Sequence, residues 1–261
     1  MTKNDLKLQY KTEKKAARSA YKQAQTERKN AYRLSLAELL TEEPDEKKQE
    51  KNKDMPKRSV LEEIGNAVTH GVGSVFSLVA FLLMLGASNT PEKTTGAILY
   101  FIGLFVLFTM SCLYHSFRSG SGVKRLFRRF DYSSIYLLIG ATFAPILLCQ
   151  IGGTFGSVFF IVQWLIIATG ITFIGVFGPN KLKKLHMTLY MLLGWSGLLL
   201  LPTLLGSNPS LFLYILLGGV IYTLGVIPFA LKKGCAHFIW HFFVLGGAVV
   251  QWLGIYLYIY L

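Results

Sequence analysis

Near the C-terminus the stretch "HFIWH" places His237 and His241 four positions apart. On a helix, such a pair lies about 40° apart around the axis and about one turn along it, so both imidazoles point the same way. A third imidazole, His115, closes "SCLYH" (111–115), where Ser111 stands one turn earlier on the same face. Three neutral imidazoles suit a divalent zinc ion, because a catalytic zinc typically takes three protein ligands and keeps the fourth position for water. Asp131 supplies a carboxylate that can accept a proton, and the Ser111 hydroxyl can orient water or an oxyanion. The His-x3-His spacing alone is a weak signal. It gains weight only if the chain brings all five residues to one depth.

The elements that must do so are membrane helices. The chain has 261 residues, 52% of them hydrophobic, yet carries a formal charge of +13. From Ile64 to the C-terminus only Glu92 and Asp131 are acidic, a distribution foreign to a soluble surface. Seven apolar stretches approach the length of about 20 residues that a bilayer core requires: 66–87, 95–116, 131–149, 156–178, 186–205, 211–231 and 237–259. The expected fold is therefore an all-α polytopic membrane protein, a bundle of seven transmembrane helices. The first 58 residues are polar and show no apolar segment of the kind a cleavable signal peptide needs.

Lys and Arg sort completely between the two sets of connections. The connections "FRSGSGVKRLFRR", "GPNKLKKLH" and "LKKGCAH" are basic, whereas "SNTPEKTTG", "QIGGTFGS" and "LGSNPS" share one Lys. The positive-inside rule then puts the N-terminus in the cytoplasm and the C-terminus outside the cell membrane. The same topology puts His70, His115, His186, His237 and His241 in one leaflet, with Asp131 and Ser111. Intramembrane polar groups are costly and by default functional.

Each of these residues also has a purely structural reading. Asp131 could cap the third helix, accepting backbone N–H bonds from Ser133 or Ser134. His237 and His241 could face headgroups, and His186, beside Lys183 and Lys184, reads as interfacial rather than as a ligand. Ser111 could bond back to the carbonyl one turn earlier. Cys235 could ligate a metal, but its place in a connection argues against it; with Cys112 and Cys149 it reads as packing rather than a disulfide framework. The cations Lys124, Arg125, Arg128 and Arg129 follow the topology rule, with anionic headgroups as their other possible use. No nucleic-acid-binding module accompanies the charge.

Two regions divide the chain: a charged tail and linker over 1–58 and the transmembrane domain over 59–261. Residues 1–40 carry a loose helical stripe through Ala17, Tyr21, Ala24 and Tyr32, fitting either a basic helix on an anionic leaflet or a solvated tail. Residues 41–58, with two prolines and no apolar pattern, read as linker. "SVLE" (59–62) has the Ser-x-x-Glu spacing of a capping box and predicts the start of the first membrane helix.

Four separated motifs, "EIGNAVTH" (63–70), "SCLYH" (111–115), "FDYSSIYLLIGATFAP" (130–145) and "HFIWH" (237–241), resemble those of the hemolysin III family. That group is the bacterial branch of the progestin and adiponectin receptor (PAQR) superfamily. The resemblance covers about residues 58–261 and leaves the tail outside. It implies a seven-helix fold with a cytoplasmic-side zinc held by His115, His237 and His241. It also implies that Asp131 and Ser111 act on the metal-bound water. Glu63, Asn66, Thr69 and His70 would then support the ligands rather than bind metal. Relatives in the wider superfamily resemble alkaline ceramidases and hydrolyse lipid amides.

Three functions are compatible with these residues. The first is a zinc-dependent hydrolase of a lipid amide, its membrane-lipid substrate reached from the bilayer. The second, carried by the family's name, is a membrane-damaging or pore-forming cytolysin, against which the apolar helices argue because an aqueous lumen needs a polar lining. The third is a non-catalytic, zinc-stabilised sensor or regulator of membrane state.

Overall fold

The computed structural model describes residues 3–41, 56, 58–231 and 234–261. The chain divides into two units, 1–55 and 56–261. The described residues of the first unit form one helix, α1 (Lys3–Thr41), exposed throughout residues 4–35.

Among the described residues, the second unit contains seven helices long and apolar enough to cross a membrane. They are α2 (Val60–Gly86), α3 (Pro91–Ser116), α4 (Gly122–Ile151), α5 (Gly153–Phe177), α6 (Lys183–Ser207), α7 (Pro209–Ala230) and α8 (Ala236–Tyr260). No described residue lies in a strand. Several starts follow from local chemistry. The Ser59 hydroxyl accepts from the Glu62 N–H at 3.2 Å and begins α2, as the Ser-x-x-Glu spacing predicts. Thr90 and Asn208 cap α3 and α7 in the same manner, each followed by a proline at the first position, where its missing N–H costs nothing.

Helix α4 starts nine residues before the apolar run at 131. Its cap is Ser121, which accepts from Lys124 N–H at 3.1 Å, so the basic stretch expected in a connection is mostly helix. Charge ends a hydropathy signal without ending a helix, since Lys and Arg are good helix formers. After Pro145 the same span widens into a π-helical turn over Ile146–Ile151, where the ring removes a backbone donor. Helix α6 likewise passes through a 3-10 segment, Ser196–Leu200, before Pro202.

Helix α2 packs against both α3 and α8, α3 against α4, and α7 against α8. Gly218 of α7 meets Gly247 and Gln251 of α8, while Gly247 lies under the Tyr222 ring, a close approach only glycines permit. The main core, around Tyr100, Leu104, Phe108, Ile146 and Ile255, fills the bundle. The residues of interest lie at the end where α2, α4, α6 and α8 begin and α3 ends.

Candidate metal centre

His115 comes from the last turn of α3, and His237 and His241 from the first turns of α8. Helix α2 packs against both α3 and α8, and the three imidazoles meet beside it. Nε2 of His237 lies 3.4 Å from Nε2 of His115 and 3.2 Å from Nε2 of His241. Ligand atoms held tetrahedrally at about 2.0–2.1 Å from zinc are themselves about 3.3 Å apart. The three residues can therefore hold a metal ion as they stand.

Partners on the opposite ring nitrogens orient two of the three rings, His115 and His241. His115 Nδ1 meets the Glu63 carboxylate at 2.5 Å and lies 3.3 Å from the Asn66 side-chain amide. His241 Nδ1 lies 3.2 Å from the Asn66 backbone carbonyl. An acceptor at Nδ1 keeps the proton there and leaves the Nε2 lone pair for a metal. Glu63 is fixed in turn by Lys124, whose ammonium sits 3.1 Å from its second oxygen and donates to Phe117 O at 3.0 Å. His70, buried, stacks on His241 with centroids 3.7 Å apart. Helix α2 thus supplies the supports from one face: Glu63, Asn66 and His70.

Ser111 and Asp131 also reach this place. Both line one cavity of about 150 Å³ with His70, His237 and His241. Asp131 is not a helix cap, because α4 begins at Gly122 and Asp131 lies well inside it. The cavity continues between α4, α6, α7 and α8 past Ile139, Phe143, Met191 and Val244, almost entirely apolar.

Other candidates resolve differently. His186 is buried and hydrogen-bonds the Tyr136 hydroxyl at 2.9 Å; it lines the same cavity as His237 and His241 without joining the histidine cluster. Cys235 is exposed at a positive φ before α8, and all three cysteines are free. The basic cluster is tied to the fold. Besides Lys124, Arg125 donates to Gly120 O, Arg128 to Asn180 Oδ1 and Arg129 to Gly175 O. Sequence reasoning missed Lys124 as a support and the Tyr136–His186 pair, whose partners are joined only by tertiary packing.

A family model described as "Haemolysin-III related" matches residues 58–252. The chain is 33% identical over 208 residues to Hemolysin-3 of Bacillus cereus, covering 77% of this chain and 93% of that protein. It is 31% identical over 205 residues to the Hemolysin-3 homolog of Bacillus subtilis (strain 168), covering 77% and 95%. Monocyte to macrophage differentiation factor of Homo sapiens is 29% identical over 211 residues, covering 78% and 87%. The match takes in α2 through most of α8, and with them every residue of the histidine cluster and its supports: this chain belongs to the hemolysin III family of the PAQR superfamily.

Proposed function

We propose that this membrane protein is a zinc-dependent hydrolase of a lipid amide. The observation that carries the reading is the junction of two unlike surfaces. Of three convergent imidazoles, those of His237 and His241 line, together with Ser111 and Asp131, a largely apolar cavity inside the bundle. A bound zinc supplies Lewis acidity toward a carbonyl and acidifies water. Asp131 takes the proton from the attacking water, and the same carboxyl returns it to the amide nitrogen as the C–N bond breaks. Ser111, in the same cavity wall, orients the water or the oxyanion through its hydroxyl. Glu63 and the Asn66 carbonyl keep the His115 and His241 imidazoles in the ligating tautomer. The apolar walls receive the acyl chain and exclude bulk water. The sorting of Lys and Arg supports a cytoplasmic N-terminus and an extracytoplasmic C-terminus, with the site on the cytoplasmic side of the cell membrane.

The test begins with metal content. Detergent-purified protein should carry about one zinc per chain, lost in the His237→Ala, His241→Ala double variant. The zinc-loaded protein should then release fatty acid from a ceramide-type N-acyl amide. A folded protein that binds no divalent metal overturns the proposal. A zinc protein inert toward lipid amides would instead be the sensor or regulator.

A further inference from the structure

Helix α1 lies outside the family match and outside everything the zinc site explains. Its sequence carries an 11-residue repeat in charge and aromaticity. Lys7, Arg18 and Lys29 are followed three positions later by Tyr10, Tyr21 and Tyr32, and each tyrosine by Lys11, Lys22 or Arg33. Eleven residues make three helical turns to within about 20°, so each column of the repeat stays on one face along the helix. All nine Lys and Arg between residues 7 and 33 fall within an arc of about 140° at 100° per residue. Asp5, Glu13 and Glu27 occupy the opposite side, and the three tyrosines mark one border of the basic face.

This arrangement does not serve the isolated helix. No Lys or Arg stands three or four residues from Glu13 or Glu27, so the helix forgoes the spacing that makes intrahelical ion pairs. Lys7 and Lys11, Lys11 and Lys15, Lys14 and Arg18, Arg18 and Lys22, and Lys29 and Arg33 are like charges one turn apart, each of which weakens a free helix. Tyr10, Tyr21 and Tyr32 are 63%, 67% and 67% exposed and take no part in the packing of any core. A face that repels itself and displays a row of amphipathic rings is complementary to an extended anionic surface with an apolar layer beneath its charges.

We propose that α1 lies along an anionic lipid surface through its basic face and tyrosine border, held near it by the linker to the first span. The helix is 39 residues, or about 58 Å, long and runs parallel to that surface. The tether favours lipid over a diffusing polyanion, because residues 42–59 reach at most roughly 60 Å and keep α1 at high effective concentration beside the bilayer. Basic side chains gain attraction from anionic headgroups, and tyrosine rings sit well at the headgroup level.

Trypsin reads this face directly, since its cleavage sites are the docking residues. The full-length protein is placed in nanodiscs of phosphatidylcholine alone or with about one-third phosphatidylglycerol, and cleavage between Lys7 and Arg33 is timed against cleavage at Lys51 and Lys53. The anionic discs should slow cleavage in α1 roughly tenfold. About 0.5 M salt, which shortens the screening length to a few ångströms, should remove the protection. A variant carrying Lys11→Glu, Glu13→Lys, Lys22→Glu and Glu27→Lys keeps the net charge but scrambles the faces, and should lose protection. Equal rates in both discs overturn the proposal, and so does protection that survives scrambling. Protection by RNA on phosphatidylcholine discs with none from phosphatidylglycerol would assign the face to nucleic acid and equally overturn it.

Discussion

Glu63 and His115 lie on different membrane helices, yet the carboxylate of one and Nδ1 of the other share a hydrogen bond directly behind the histidine cluster. Lys124, on a third helix, closes the arrangement at 3.1 Å from the other carboxylate oxygen. A charge on α4 therefore fixes a carboxylate on α2, which fixes an imidazole on α3. The order matters, because His115 alone could rotate its ring and present the wrong nitrogen.

Replacing Glu63 by Gln should weaken zinc affinity by about 10–100-fold, the usual cost of losing a carboxylate behind a ligating histidine. Competition against a calibrated chelator measures it, with helicity by circular dichroism confirming the fold. Unchanged affinity would mean that packing alone holds the His115 ring.

Asp131→Asn separates binding from turnover. The amide keeps the size and polarity of the side chain, but cannot accept a proton. Zinc content should stay at the wild-type level while lipid-amide hydrolysis falls by about 10²–10⁴-fold. Hydrolysis at the wild-type rate would remove Asp131 from the chemistry.

Metal should also be worth stability, because the ligands come from α3 and α8 and no single helix holds the site. A ligand present at 100 times its dissociation constant stabilises the folded state by about 2.7 kcal/mol. Chelation should accordingly lower the Tm of the wild-type protein in detergent by several degrees. The His237→Ala, His241→Ala variant should melt at one temperature with or without chelator. An equal response of both proteins would locate the chelator's effect elsewhere.

The seven spans are legible in the sequence because apolar runs of bilayer length have few other uses. Their starts are less so. Helix α4 extends back through Lys124 and Arg128, residues that read as loop by hydropathy but sit comfortably in a helix and bond to neighbouring segments. Sorting Lys and Arg brought His115, His237 and His241 to one depth, and depth is what a topology rule supplies. It cannot supply azimuth. The stack of His70 on His241, the burial of His186 against Tyr136 and the carboxylate behind His115 depend on which helix faces face inward. The repeat in α1 lies open in the sequence yet escapes hydropathy, because its period is in charge.

The packing of α7 on α8 gives a prediction with its own control, since Gly218 and Gly219 are adjacent, about 100° apart around α7, and only the first meets α8. A Cβ at Gly218 would stand 3.0 Å from the Gly247 carbonyl oxygen and press on the Gln251 side chain, which itself donates to Ile215 O. Backbone cannot yield as a side-chain tip can. Gly218→Val should therefore cost about 1–3 kcal/mol and lower the Tm in detergent. A Cβ at Gly219 meets nothing within 4 Å, so Gly219→Val should leave the Tm nearly unchanged. Because α8 also carries His237 and His241, the wedge at Gly218 should weaken zinc binding although it meets α8 at Gly247 and Gln251, about two or more turns beyond the ligands. Equal melting temperatures for the two variants would show that α7 and α8 can separate without cost. Lower stability with unchanged zinc affinity would show that α2 and α3 alone hold the first turns of α8 in place.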